Sequence, residues 1–390
     1  MKRADFENSS SGRLVATDRG QWAFVPHDLP PEVDLGLLAV PMARASQLLG
    51  ELNGIGRTLP DPYLLIRPLQ VREALTSSSM EGTFTTLDDL LLLEAGAQER
   101  GGGAGDTREV GNYRKALSEA IESLNRVPLS LRTLLEAHSR LLSGVARHRG
   151  ARTEPGELKR NQNFIGAYEI EKARFIPPPP NEAQTALEAL EIYIQREDRG
   201  PIPDIVDAAL IHYQFEAIHP FSDGNGRVGR MLITLHLYMR RVIRQPLLYL
   251  SPVFERRKDE YIDRMYDVSR YGAWGAWIAF FLDVVCEACE ATIETADALL
   301  ALQADYRARL REAGRSANLV ALLDLLFRRQ VVSIPQVAEH LDVQYRSAQL
   351  NVDSLVRVGI LEEVPGTANP KYFIARGIRD IINQTPGRNA

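Results

Sequence analysis

The chain has 390 residues, of which 45% are apolar and 25% charged, with a formal net charge of −5. That length predicts two to three domains, each large enough for its own core. The acid excess argues against a general nucleic-acid binder or a membrane-surface protein.

The N-terminus leads into polar sequence rather than an apolar signal region. No apolar run reaches membrane-spanning length, and residues 278–286 are interrupted by Asp283. Both features predict a cytoplasmic protein with no membrane partner. The two cysteines, Cys286 and Cys289, cannot frame a disulfide-built domain. They also lack the second pair that zinc needs and the βαβ setting of a redox motif. They read as two small apolar residues on one helix face.

Residues 1–30 read as loose, with short strands near 12–16 and 21–25. Helical periodicity runs over residues 35–52 and stops at Asn53-Gly54. Pro60-Asp61-Pro62 reads as a turn, and a second helix covers 63–80. Its end, Ser77-Ser78-Ser79-Met80-Glu81-Gly82, places a carboxylate at a helix C-terminus, against the dipole. A nearby cation would relieve it. Residues 86–95 form another helix with a threonine cap. The glycines of 101–105 lack the Gly-Lys-Ser/Thr ending of a P-loop and read as a flexible connection.

Helices are predicted at 108–124 and 131–142. Short β-like pieces at 160–166 and 173–176 flank a turn, which predicts a hairpin. Its exposed edge could pair with an extended peptide. Asn181 and Asp204 read as caps of the next two helices. Further helices are expected after residue 230, at 258–267 and at 274–302. The last ninety residues give three helices and a hairpin, a winged helix-turn-helix pattern. From Ala317 to Arg376 it carries six basic and six acidic residues. DNA and a protein therefore both stand as partners for it.

One stretch dominates the chemistry: His219-Pro220-Phe221-Ser222-Asp223-Gly224-Asn225-Gly226-Arg227-Val228-Gly229-Arg230. It lies between two apolar segments, so a glycine-rich loop joins two helices. Glycine lets the backbone approach a ligand closely, and a helix N-terminus favours an anion. Arg227 and Arg230 are three apart, on one helix face. The set reads as a base, a metal-binding carboxylate, a phosphate cradle and two phosphate-clamping cations. A metal site of His212, His219 and Asp223 is the alternative, set against His212 as a core histidine within an apolar segment.

This stretch resembles the signature of the Fic family, His-Pro-Phe-x-Asp-Gly-Asn-Gly-Arg-x-x-Arg, at every fixed position. The likeness spans roughly residues 30–300. It implies a mainly α fold: a Fic-type helical bundle with a β-hairpin flap, a helical N-terminal domain before it and a winged helix-turn-helix after it. The expected divisions are 1–105, 106–300 and 301–390.

The resemblance implies transfer of AMP from ATP to a Ser, Thr or Tyr hydroxyl of a target protein or of the chain itself. His219 would be the general base, and Asp223 would hold Mg²⁺. The backbone from Gly224, Asn225 and Gly226 through Val228 and Gly229 would cradle phosphates, and Arg227 and Arg230 would neutralise them. Tyr261 and Ser269 would meet the nucleoside. Asn163, Phe164, Ile165 and Gly166 would form the target flap. Ser77, Glu81 and Gly82 resemble the Fic inhibitory motif, Ser/Thr-x-x-x-Glu-Gly/Asn. Glu81 would pair with Arg230 and hold ATP unproductively. A homodimer is expected. The alternatives are a nucleotide-sensing DNA-binding regulator and a de-AMPylase using the same site.

Overall fold

A computed structural model describes residues 1–58, 62–98, 104–145, 154–312, 317–367 and 369–384. The chain is mainly helical. The N-terminal thirty residues are more ordered than their composition predicts. Strands β1 (Gly12–Ala16) and β2 (Trp22–Pro26) pair antiparallel, with Leu14 opposite Phe24. Phe6 is buried, and its ring lies 5.6 Å from Phe24 and 6.1 Å from Phe175. Buried aromatic area of this kind stabilises a segment that has little regular structure of its own.

Helix α1 (Ala39–Thr58) runs past the expected stop at Asn53-Gly54. Asn53 spends its amide elsewhere: Nδ2 donates to Val242 O at 2.8 Å, and Oδ1 accepts from Arg244 N at 2.8 Å. Most of the expected turn at residues 60–62 lies outside the described residues. Then come α2 (Tyr63–Ser79) and α3 (Leu87–Glu94). Thr86 caps α3 by accepting from Asp89 N, as its sequence predicts. Of the expected glycine connection, residues 101–103 lie outside the described residues, and Ala104 and Gly105 open α4 (Ala104–Ser123). Next is α5 (Leu131–Leu141).

The expected hairpin reduces to one antiparallel bridge between Ile165 and Phe175, closed by a 3-10 turn at Ile170–Lys172. Phe24 N donates to Ile176 O at 2.9 Å, so β2 supports this flap from the side. Helix α6 (Pro180–Gln195) starts on its proline rather than on an Asn181 cap. Helix α7 (Asp204–Ile218) follows Pro203 as its cap, with Asp204 inside the first turn.

At the centre α7 packs against α8 (Asn225–Met239). Every residue of α7 except Asp204 and Glu216 is buried, and so is all of α8 except Tyr238 and Met239. Helices buried on all sides belong to the middle of a bundle. Around them lie α9 (Ser251–Arg256), α10 (Lys258–Tyr271) and the 39-residue α11 (Trp274–Glu312), which runs along α1. No helix among the described residues is long and apolar enough to cross a membrane.

The C-terminal unit comprises α12 (Ala317–Arg328), β3 (Val331–Ser333), α13 (Ile334–Leu341), α14 (Tyr345–Arg357), β4 (Glu362–Glu363), β5 (Tyr372–Ile374) and α15 (Arg376–Asn383). Its sheet has the order β3-β5-β4, all antiparallel. The three helices and the hairpin match the sequence reading. Strand β3 was too short to leave a periodic signal. The unit packs on α2 through α12 and α15, and Gln336 Nε2 donates to Ala95 O at 2.7 Å.

Candidate active site

The loop between α7 and α8 is fixed from three directions. His219 ends α7 in the left-handed region, at φ 49°, which a non-glycine residue adopts at a cost. Surrounding contacts hold it there. Asn163 Nδ2 donates to His219 O at 3.1 Å and to Phe221 O at 3.0 Å. Lys159 Nζ donates to Ile218 O at 3.2 Å and to Asn163 Oδ1 at 2.9 Å, and its backbone N donates to Pro220 O. Asn225 closes the turn: its Oδ1 accepts from Phe221 N and its Nδ2 donates to Phe221 O, both at 2.8 Å.

Phe221 is fully buried and stacks on His138 at 3.8 Å. His138 Nδ1 accepts from Gly156 N at 2.9 Å, which leaves the ring proton on Nε2 to donate to Asp223 O at 3.0 Å. Gly224, at φ 80°, then caps α8, whose first-turn N–H groups have no helical acceptor.

The side chains of the loop part ways. Arg227 turns into the core, fully buried, where it pairs with Glu109 and reaches Asp223 Oδ1 at 3.4 Å. This departs from the expected phosphate clamp, because Glu109 on α4 offers that guanidinium a buried carboxylate. Arg230 faces the other way. Its Nε donates to Ser77 Oγ at 2.8 Å, and its Nη2 donates to Ser77 O at 2.7 Å and to Glu81 Oε1 at 2.8 Å. Gly82, at φ 80°, turns the chain after α2 so that Glu81 can reach it. Lys258 Nζ donates to Met80 O at 2.7 Å, adding a cation at that helix end. A Cβ at Gly226 would collide with Glu81 Oε1, so the carboxylate lies directly on the start of α8.

A cavity of about 220 Å³ opens here, lined among others by His219, Glu216, Gly226, Arg230, Tyr261 and Ser269. His219 Nδ1 donates to Glu216 O at 3.3 Å, leaving Nε2 as the basic nitrogen. Burial, and then the charge of Lys159, lower the His219 pKa to about 4. The ring is therefore neutral at pH 7 and able to accept a proton. Burial pushes Glu216 up to about 8, so that carboxyl is largely protonated at neutral pH. Burial lowers Lys159 to about 7. Burial also raises the Glu81 carboxyl, but the charge and hydrogen bond of Arg230 outweigh it and hold Glu81 below its usual range.

Of the other sequence-picked residues, Tyr261 OH donates to His212 Nε2 at 2.8 Å, and Ser269 pairs with Tyr213 at 2.8 Å. Val228 is core, and Gly229 O takes His212 Nδ1 at 3.0 Å. Both nitrogens of His212 are thus engaged, which leaves none for a shared metal with His219 and Asp223. Asn163 serves the loop. Phe164 packs beside Ala23, Ala173 and Ile176, Ile165 lines the cavity, and Gly166 turns the flap at φ 82°.

Asp223 suits a magnesium ion. Among the described residues its two side-chain contacts both fall on Oδ1, from Gly224 N and Arg227. Mg²⁺ takes one or two carboxylates beside phosphate oxygens and waters. Asp204, Asp207 and His236 also cluster, but Arg196, Arg199 and Arg240 already neutralise those carboxylates. Sequence reading missed His138, Lys159, Glu109 and Glu216. The available signal was a polar residue on an otherwise apolar face, as at His138 beside Leu134 and Leu141.

The glycine-rich loop, a neutral histidine and the arginine held by Glu81 meet at one cavity of the helical bundle. Family comparison adds to this picture. Residues 40–122 match the Fic/DOC family N-terminal model, and residues 128–237 match the Fic/DOC family model. These matches support a Fic family protein. "Protein adenylyltransferase Fic" of Drosophila sechellia is 32% identical over 110 residues, 28% of this chain and 20% of the relative. The chain thus spans about a fifth of the length of the curated relatives it matches. A Fic family protein from Desulfovibrio desulfuricans superposes with a TM-score of 0.57 at 19% identity, covering 89% of this chain and 98% of that one. A Fic domain containing signaling protein from Bacteroides thetaiotaomicron gives 0.54 at 19% identity, over 65% and 97%. These two likenesses concern the fold.

Proposed function

We propose that the chain is a protein adenylyltransferase that moves AMP from ATP to a hydroxyl of a target protein or of itself, releasing pyrophosphate. The observation that carries this reading is the joint placement of neutral His219 and Arg230 on one cavity, with Glu81 holding Arg230. His219 Nε2 takes the proton of the attacking hydroxyl. The N–H groups at the start of α8 receive phosphate oxygens. Asp223 would hold Mg²⁺, which would neutralise charge between phosphates. Arg227 orients Asp223 through their contact. Arg230 neutralises the terminal phosphate once Glu81 leaves it. The transfer is an in-line displacement, so positioning and charge carry the rate. Tyr261 and Ser269 line the part of the cavity suited to the nucleoside, and the flap at residues 163–166 registers the target segment.

In this reading Glu81 with Arg230 is an intramolecular restraint, and the chain divides into a restraining N-terminal part, a catalytic core and a C-terminal winged helix. The family relationship and the relatives' name support the reaction class. The test is transfer from α-labelled ATP with Mg²⁺. Glu81→Gly should label protein, and Glu81→Gly combined with His219→Ala should not. Equal labelling by the two would overturn the assignment of His219.

A further inference from the structure

A second cleft lies away from the loop, where the C-terminal unit meets α2, α3 and α4. It has a volume of about 580 Å³. Arg67 of α2, Arg114 of α4, and Arg328 and Arg329 at the end of α12 line it, against Glu94 of α3 and Glu339 of α13. Arg328 has a partner of its own, so among the described residues Arg67, Arg114 and Arg329 stand against Glu94 and Glu339. Glu94 is already taken by Arg114. Arg67 and Arg329 make no ion pair or side-chain hydrogen bond among the described residues. Arg67 is half-buried, and its pKa is lowered by that burial and by Arg114, only partly offset by Glu94. A half-buried cation beside like charges is costly unless an anion joins it.

Walls of low dielectric focus the surplus field into such a cleft. Guanidinium forks match phosphate oxygens in pairs. Its volume is that of a small-molecule site rather than a polymer groove. We propose that this cleft binds a small phosphate-bearing polyanion, held chiefly by Arg67 and Arg329. The inference is independent of the transferase reading. It places a second ligand on α2, the helix that also carries Ser77 at its other end.

Calorimetric titration of the full chain with inorganic triphosphate, at low salt and without metal, tests it. Arg67→Gln with Arg329→Gln should weaken binding about tenfold or more, since each loses a charge-assisted bond. Glu339→Gln should tighten it about two- to threefold by removing an opposing charge, a gain that misfolding cannot produce. Arg230→Ala should leave this binding within about twofold, since Arg230 lies outside the cleft. No binding to the natural sequence, no response to Glu339→Gln, or loss that follows Arg230 alone would overturn the proposal. Such a failure would leave the labelling test at His219 and Glu81 untouched.

Discussion

Arg230 and Glu81, 149 residues apart in sequence, are joined at 2.8 Å, and Ser77 adds two more acceptors to the same guanidinium. Arg230 is almost fully buried, whereas Glu81 remains one-third exposed. A buried cation needs an anion, and removing a partner leaves that charge uncompensated. In the proposed function the carboxylate holds the place that a phosphate would take. Its exposed side is the route by which it can leave.

Ser77→Ala should release Arg230 in part. It removes the Nε bond to Ser77 Oγ but keeps the bond to Ser77 O. A hydrogen bond to a charged group contributes roughly 1.5–3 kcal/mol. Labelling rates should rise in the order natural sequence, Ser77→Ala, Glu81→Gly. A Ser77→Ala rate below that of the natural sequence would contradict the restraint.

The acid limb of transfer should sit well below the ordinary histidine range. Burial and Lys159 hold His219 at about 4. The ring stays deprotonated as pH falls through 6.5 and protonates only near its folded value. In the Glu81→Gly protein, the rate should be flat between about pH 7 and pH 5. A limb centred near 6.5 would mean that the ring is not desolvated as described.

Stability should depend on acid for a related reason. His138, His212, His219 and His236 are lowered to about 4, 3, 4 and 3, chiefly by burial. The unfolded chain takes up protons near 6.5, while the folded chain does not. Stability is therefore complete above that pH and falls as pH drops toward 4. Each histidine contributes up to about 1.4 kcal/mol per pH unit. Both His236 ring nitrogens lack a hydrogen-bond partner among the described residues. His236→Leu should thus cost little at pH 7 and reduce the loss at pH 5, as urea unfolding at the two pH values would read.

Lys159 should act on rate rather than on folding. Its ammonium ties Ile218 O and Asn163, and Asn163 ties His219 and Phe221. Lys159→Met keeps the stem and drops the ties. We expect kcat to fall about 10- to 100-fold through misplacement of His219, with the melting temperature changed by only a few degrees. An unchanged kcat would show that the loop holds itself.

Much of this was legible in the residues. The motif from His219 to Arg230, the helix before Glu81 and helices α12, α13 and α14 announced themselves by spacing, whereas α15 did not. Glu81 at a helix end was a visible discomfort, and Arg230 and Lys258 are the cations it called for. Other features were not legible because they arise only on folding. Arg227 turning to Glu109, His138 stacking on Phe221 and Phe6 joining Phe24 are long-range pairings. The flap carried a strand-like pattern, yet a single bridge formed there, since local propensity yields to its neighbours.

If Glu81 restrains a competent transfer site, its removal should expose the transfer. The decisive measurement is the mass of the Glu81→Gly protein and of the extract proteins after their incubation together with ATP and Mg²⁺. The account predicts an added adenylyl group on the chain or on a protein of the extract, absent when His219→Ala is combined with it. No adenylyl group on any protein, or an equal yield without Glu81→Gly, would contradict it.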